Sequence, residues 1–320
     1  MNNKKKANPI KKVLESRLFS QLMPVGLLLV FTIITGGRFI KLQYMKSILE
    51  QALVVAIVST GGAFIFASGN VSLSLGATTV LTATLSVMIY NATGSFALML
   101  VSAVVIGVVL MTISALLSTA LGVRVMFVTI VMMTMLSALQ QAILGGSTVA
   151  IPQTLVRSLT DGGFMYIAFA VFFVICVVLF HFTDIGRSLR FIGTNNLCAE
   201  QTGITKKKYL LIAFMIAGVG CGIGAVVAVI RGGSVGTSTL PSLNMDCMLA
   251  LVLGGMSIFG GSKSYVYSGV VGAITVVALN QGLLMVGVDS TIIQAIRGIA
   301  FLALVAISQV RPKGLPAPEG

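Results

Sequence analysis

Long apolar runs recur along almost the whole chain, and they constrain the fold more than any other feature. Of the 320 residues, 57% are hydrophobic and only 9% are charged, which is too little polar surface for a water-soluble protein. Runs of about 18 to 25 apolar residues have the length of a helix that crosses a bilayer. Because the runs are continuous rather than alternating, they predict an all-α, polytopic transmembrane helical bundle and not a β-barrel.

The apolar runs give about ten candidate spans. Gly69-Asn70 interrupts the hydrophobicity between residues 47 and 91, and the run 246–260 is short enough to be a broken or re-entrant helix. The predicted spans are 19–36, 47–67, 71–91, 95–121, 125–144, 163–182, 208–230, 246–260, 265–286 and 291–310.

The net charge of +13 would suggest a nucleic-acid partner in a soluble protein, but the placement of the cations follows the positive-inside rule. With the N-terminus in the cytoplasm, most Lys and Arg residues fall in predicted inside segments. The predicted outside segments contain only Arg38, Lys41, Lys46, Arg157 and Arg231. This pattern predicts that both termini are cytoplasmic. It also predicts that the positive charges lie against membrane lipid and do not serve a nucleic-acid partner.

The chain is predicted to be one membrane domain. Residues 1–18 are predicted to be a basic cytoplasmic N-terminal segment, and residues 19–310 the transmembrane domain with a polar loop at 186–208. Residues 311–320 are predicted to be a cytoplasmic C-terminal tail. No G-x-x-x-x-G-K-[ST] motif is present, so any energy must come from a partner or an ion gradient. The four cysteines lack the spacing of metal ligands, and no metal site is predicted.

Glycines concentrate in the seventh predicted span, at Gly218, Gly220, Gly222 and Gly224. Small residues four apart let another helix backbone approach closely. The pattern predicts tight packing inside one protomer, with a seam between two copies as the alternative.

The loop 186–208 is the longest strongly basic segment between spans. Asn195 or Asn196 can cap the start of a short helix, and Gly203 can end it in a left-handed conformation. Such an element, parallel to the membrane, suits insertion into a cleft on a soluble partner. The alternative is an ordinary basic loop that lies on anionic lipid head groups.

Three motifs carry a resemblance to a known family. Residues 186–204 are similar to the GR-x₃-x-I-G-x-N-x₂-A-A-x₃-G-I segment of ribose-type ABC permeases, the membrane subunits of binding-protein-dependent sugar importers. Residues 249–261 resemble that family's A-x-V-x-x-G-G-T-S-L-x-G-G run, and 68–76 resemble its G-G-I-D-L-S-V-G signature. Order and spacing agree over most of 45–310. The chain departs from the pattern at Ser72, where the family has an acidic residue, and at Glu200, where it has alanine.

The resemblance implies that the short helix is a coupling helix seated in a groove of an ABC ATP-binding subunit. The residues that it assigns to this contact are Gly193, Asn195, Ala199, Glu200 and Gly203. It further implies a second permease copy, an extracytoplasmic solute-binding protein and a place in the bacterial cytoplasmic membrane. The chain would bind no cofactor and would not itself be an enzyme, since ATP and Mg would sit on the partner subunit. The expected solute is a monosaccharide or a related compound.

Polar side chains inside spans are unfavourable in lipid and are therefore candidates for the translocation pathway. The main candidates are Asn70, Ser72, Ser74, Gln140, Asn280 and Arg297. For each of them the alternative is an interhelical hydrogen bond. Arg297 must find water, an acid or backbone carbonyls, and Asp246 or Asp289 could pair with it, so a structural role stays as open as a solute contact.

An ion-coupled secondary transporter is the alternative function. Such a protein should carry an acid inside the membrane to bind Na⁺ or H⁺. No Asp or Glu lies in the middle of a predicted span, which favours the ATP-driven importer.

Overall fold

A computed structural model describes residues 17–309 except 38, 40, 238, 258–259 and 263. The predicted tail 311–320 and all but the last two residues of the predicted segment 1–18 lie outside these residues. The described helices are α1 (Arg17–Ile34), α2 (Leu42–Ala67), α3 (Leu75–Thr93), α4 (Phe96–Leu121), α5 (Val125–Leu144), α6 (Gln153–Asp161), α7 (Phe164–His181), α8 (Asp184–Thr194), α9 (Asn196–Gln201), α10 (Lys206–Gly232), α11 (Leu243–Leu253), α12 (Tyr267–Met285) and α13 (Ser290–Gln309). Strands β1 (Val149–Ala150) and β2 (Ser234–Val235) pair antiparallel.

Every predicted apolar run overlaps a helix, although the run 246–260 is helical only as far as Leu253. Within the described part of the chain, seven helices are long and apolar enough to cross a membrane, namely α2, α3, α4, α5, α7, α10 and α12. The other three runs form α1, α11 and α13. Helix α11 has only 11 residues, as expected for a short or broken span, and the break at Gly69-Asn70 does separate α2 from α3. A helical membrane bundle is thus confirmed, while the count of about ten spans stays a prediction.

Helix α10 lies between α2 and α4, and its glycines make this possible. A Cβ atom on Gly218 or Gly222 would come within 2.6 Å of backbone atoms of α4. One on Gly220 would lie 3.2 Å from a backbone oxygen of α2, and one on Gly224 would lie 2.7 Å from a valine side chain of α2. The glycines therefore serve packing inside one protomer, as the first of the two interpretations predicted.

We expect Gly222→Val to destabilise the bundle. The added side chain has no room against α4, and overpacking of this kind typically costs about 1–3 kcal/mol. Gly232→Val is the matched control, because a Cβ at Gly232 of the same helix would meet no atom within 4 Å. Thermal unfolding of the two variants in detergent is the measurement. Equal midpoints for both variants would contradict the packing role of Gly222.

Two helices begin inside the bundle rather than at its surface. The carbonyl oxygen of Leu75, the first residue of α3, accepts a hydrogen bond of 3.5 Å from the Cys221 thiol in the middle of α10. Asn244, in the first turn of α11, contacts the same end of α3. The irregular segments 68–74 and 236–242, the latter described except for residue 238, therefore lead into the interior from the ends of α2 and β2. Since α2 and α10 run antiparallel, with Gly61 against Ala217 and Gly224 against Val58, these two segments enter from opposite sides.

Candidate functional site

The short helix α9 has the caps that the sequence predicts. The Asn195 side-chain oxygen accepts hydrogen bonds from the N–H groups of Leu197 (3.0 Å) and Cys198 (3.2 Å). After the helix, Gly203 adopts a φ of 82°, and its N–H donates to the Glu200 carbonyl while the N–H of the next residue reaches the Ala199 carbonyl, both at 3.0 Å. This is a Schellman motif. The predicted short helix between α7 and α10 is confirmed.

Helix α8 was missed by the sequence analysis, which treats 186–208 as a polar loop with one short helix. Its eleven residues are helical from Asp184 to Thr194. Leu189 and Ile192 are buried and Ile185 is partly buried, and their spacing at i, i+4 and i+7 is the signal that could have revealed an amphipathic helix. The segment α8–α9, which we call the coupling segment after its predicted role, therefore consists of two helices.

Glycine seats the coupling segment on the end of α2. A Cβ atom on Gly193 would collide with the Ala67 carbonyl oxygen and would lie 2.6 Å from the backbone nitrogen of Gly261. That nitrogen itself donates to Ala67 O at 3.1 Å. Gly186 makes an equally close approach to the Phe180 carbonyl. The two glycines bring α8 into backbone contact with α2 and α7.

Arg190 fixes α8 to the end of α7. Its Nε donates to Gly186 O and its Nη2 donates to Phe180 O, each at 3.1 Å. The guanidinium carbon lies 5.0 Å from the centre of the Phe180 ring. A cation at the C-terminal end of a helix interacts favourably with the helix dipole, and its position over an aromatic face adds a cation–π interaction. This arginine is therefore structural, although the sequence analysis counts it only as part of a basic flank.

Most of the predicted coupling residues shape the segment rather than present side chains. Ala199 is fully buried, whereas Glu200 is exposed and its carboxylate accepts a hydrogen bond of 3.2 Å from the Asn196 amide. The exposed apolar side chains are Leu197, at 66%, and Phe191, at 40%, which sequence reasoning did not single out. These two side chains make up the exposed apolar part of the coupling segment.

Arg297 forms an ion pair inside the bundle. Its Nη1 lies 3.0 Å from Asp246 Oδ1 and also donates to Ser242 Oγ at 2.6 Å. Its Nε donates to Asn280 Oδ1 at 2.6 Å. Only 13% and 12% of the two charged side chains are exposed. Of the two acids considered, the structure thus selects Asp246, and the network ties α11, α12 and α13 together.

Asp246 bears on the expectation that no acid lies in the middle of a span. It belongs to the first turn of α11 and not to the middle of that helix, but its side chain is buried in the bundle. The predicted span 246–260 had placed this residue at a membrane face. The acid is paired with a cation, however, so it does not offer the free carboxylate that an ion-coupled transporter needs.

The other candidate pathway residues lie at two separate places. Ser72 and Ser74 are buried in the irregular segment 68–74, with their hydroxyl oxygens 3.3 Å apart. Asn70 bonds locally to the Ser68 hydroxyl at 3.0 Å. Gln140, near the C-terminal end of α5, donates a hydrogen bond to the carbonyl oxygen of Gly236 at 3.0 Å. The structure brings the serines together and pairs Asn280 with Arg297, and the role of all six in the pathway stays a prediction.

Asn244 is a further residue that sequence reasoning missed. Its Oδ1 accepts hydrogen bonds from the N–H groups of Gly76 (2.6 Å) and Ala77 (3.1 Å) at the start of α3. An asparagine in the first turn of an apolar helix was the available signal, since a buried amide needs a partner. The partner itself lies too far away in the sequence to be foreseen.

Comparisons with known proteins point in one direction. Residues 44–305 match the model of the family described as branched-chain amino acid transport system, permease component. The chain is 24% identical to the ribose import permease protein RbsC of Escherichia coli K12, over 91% of this chain and 94% of the relative. It is 24% identical to the galactofuranose transporter permease protein YtfT of the same strain, over 82% and 79%. It is 26% identical to the autoinducer 2 import system permease protein LsrD of Salmonella paratyphi B, over 90% and 91%. No solved structure matches significantly.

Proposed function

The chain belongs to the family of branched-chain amino acid transport system permease components, and on this premise we propose that it is the membrane subunit of an ATP-driven importer for a small polar solute. The coupling segment is the observation that carries the proposal. It is ordered, it is anchored to α2 and α7, and it exposes Leu197 and Phe191. A groove on an ATP-binding subunit is the partner that such a surface fits.

The mechanism follows from how the coupling segment is held. Closure of two ATP-binding subunits on ATP moves two coupling segments towards each other, in a permease of two copies. Because Gly193 lies against Ala67 O and Arg190 holds the end of α7, the displacement passes to α2 and α7 as rigid bodies. Rigid movement of packed helices then opens the bundle towards the other side. ATP and Mg act on the partner subunit, and this chain supplies no cofactor site.

The solute is a neutral polar compound, with a monosaccharide or a relative of one as the leading candidate. The relatives above are named for ribose, galactofuranose and autoinducer 2. The ion pair of Asp246 and Arg297 is internally compensated, which leaves hydroxyls and amides such as those of Ser72, Ser74 and Asn70 to bond a solute. Such groups suit the hydroxyls of a sugar and provide no counter-ion for a charged solute.

The remaining parts of the assembly are proposed on the same premise. An extracytoplasmic solute-binding protein delivers the solute, about ten spans cross the bacterial cytoplasmic membrane, and both termini lie in the cytoplasm. The cations Arg187, Lys206, Lys207 and Lys208 are on the side of the coupling segment, in agreement with the positive-inside rule.

We expect uptake to depend on ATP and not on an ion gradient. Cells that express the chain with its ATP-binding subunit and solute-binding protein are given radiolabelled ribose, galactose or another monosaccharide of a panel. Uptake of one of them is expected to persist when a protonophore and a sodium ionophore are added at constant ATP. It is expected to vanish when the ATP-binding subunit cannot hydrolyse ATP. Collapse of uptake with the ionophores would instead establish the ion-coupled secondary transporter.

A further inference from the structure

Helix α3 starts inside the bundle, and another helix caps it. Ser74 occupies the N-cap position but makes no capping hydrogen bond with its side chain. Its hydroxyl is turned towards Ser72 and the sulfur of Met111. The N–H groups of Gly76 and Ala77 bond instead to Asn244 Oδ1, which is 168 residues away from Gly76 in the sequence. A helix start at this depth has no water to satisfy its free N–H groups, so the cap from α11 replaces both solvent and a local cap.

The fit between the two helix starts is tight. A Cβ atom on Gly76 would lie 2.6 Å from the Asn244 backbone nitrogen and 2.7 Å from its Oδ1. Glycine is therefore required at 76 for the cap to form. The side chain and the backbone of Asn244 thus both contact the beginning of α3.

Both sides of this contact are themselves anchored. On the α11 side, Ser242 and Asp246 flank Asn244 and are held by Arg297 of α13. On the α3 side, the irregular segment 68–74 starts directly after Ala67, whose carbonyl oxygen lies against Gly193 of the coupling segment. A continuous path thus runs from the coupling segment to α11 and α13: the van der Waals contact of Gly193 with Ala67, the covalent chain through 68–74, and the hydrogen bonds to Asn244.

We propose that Asn244 is a positioning residue for transport, which transmits the displacement of the coupling segment from α3 to α11 and α13. The inference rests on the proposed function, because it presupposes that a partner moves the coupling segment. A polar contact is suited to this role, since apolar helix faces in lipid have no hydrophobic driving force to hold their register. Two hydrogen bonds to one side-chain oxygen fix both the distance and the direction of the contact.

The test compares variants in the complete complex, reconstituted with its ATP-binding subunit in lipid nanodiscs. Hydrogen exchange is measured by mass spectrometry, without nucleotide and after trapping with ATP, Mg and vanadate. In the wild type we expect trapping to change the exchange of peptides from both the coupling segment and α11. In Asn244→Leu the change in the coupling segment should persist, while the change in α11 should shrink by about fivefold or more, the lower range of typical coupling between sites.

Two further variants and a control separate transmission from folding. Gly76→Ala disturbs the same contact from the other helix and is expected to give the same result. Asn244→Asp keeps an isosteric acceptor for the two N–H groups and is expected to resemble the wild type. Thr84→Val is the control, because the buried Thr84 hydroxyl bonds within α3, to the Val80 carbonyl at 3.0 Å, and the response of α11 should survive its loss.

The outcomes distinguish a failure of the proposed function from a failure of the role assigned to Asn244. If trapping leaves the wild-type coupling segment unchanged, the proposed function is wrong and the inference falls with it. If the coupling segment responds but α11 does not, or if α11 responds fully in both Asn244→Leu and Gly76→Ala, the proposed function stands and the role of Asn244 is wrong. Should Asn244→Leu fail to assemble, Gly76→Ala and Asn244→Asp provide the decision.

Discussion

Arg297→Leu is expected to destabilise the permease by about 3–5 kcal/mol, the usual consequence of removing one partner of a buried ion pair. The substitution leaves the Asp246 carboxylate in the interior without its cation, and it removes the donors that satisfy Asn280 Oδ1 and Ser242 Oγ. Three helices lose their common contact. The thermal midpoint of the purified chain in detergent should fall well below that of the wild type.

A double variant shows whether the loss of stability in Arg297→Leu comes from the unpaired charge of Asp246 or from the changed packing. Arg297→Leu combined with Asp246→Leu removes both charges, and such replacements of buried pairs are often close to neutral. We expect it to recover most of the lost stability. Arg187→Leu is the control, because the Arg187–Asp184 pair at 3.5 Å is largely exposed and its loss should change stability by less than about 1 kcal/mol. A single variant as stable as the wild type would contradict the structural role.

The same pair of variants also addresses the pathway. If Arg297 serves only the structure, the stable double variant should retain uptake. If Arg297 contacts the solute, or if its ion pair with Asp246 transmits movement between α11 and α13, the double variant should fold and yet fail to transport. Stability and uptake together therefore separate a purely structural role of this arginine from a role in transport.

The helices could be predicted because the bilayer leaves the backbone few alternatives. A segment without water must satisfy its own N–H and C=O groups, so each apolar run became a helix. The caps of α9 were also predictable, since Asn195 and Gly203 act within a few residues of their own position. Helix α8 escaped because it is short and amphipathic, with Gly186 and Gly193 inside it, and hydropathy alone gives no signal for such a helix.

Two features could not be predicted from the sequence: how deep in the bundle a helix begins, and which partner a buried polar side chain has. Hydropathy revealed the interruption at Gly69-Asn70, but the contacts with Cys221 and Asn244 are needed to show that α3 begins in the interior. Asp246 and Asp289 were equal candidates for Arg297, and the choice depends on where the first turn of α11 lies. Long-range contacts of this kind follow from tertiary packing, and local sequence patterns carry no information about it.

Gly193→Ala is expected to uncouple ATP hydrolysis from transport. The new Cβ would collide with Ala67 O and would lie 2.6 Å from the Gly261 nitrogen, both backbone atoms that cannot rotate away. Helix α8 must therefore shift from its seat on α2. Coupling between two sites is typically worth about 1–3 kcal/mol, so its loss corresponds to about 5- to 150-fold in the transmitted effect.

The measurement is uptake per ATP hydrolysed by the complex in proteoliposomes, with the thermal midpoint as the test of folding. Because Gly193 lies at the end of α2 and not in the glycine-packed centre around α10, the variant should unfold close to the wild-type temperature while its uptake per ATP falls at least about fivefold. Gly232→Ala is the control, since its Cβ meets no atom within 4 Å. Because alanine is the better helix former, local helix propensity alone predicts that both variants are at least as stable as the wild type. Normal coupled uptake in Gly193→Ala would mean that the displacement reaches the bundle by a route other than α2.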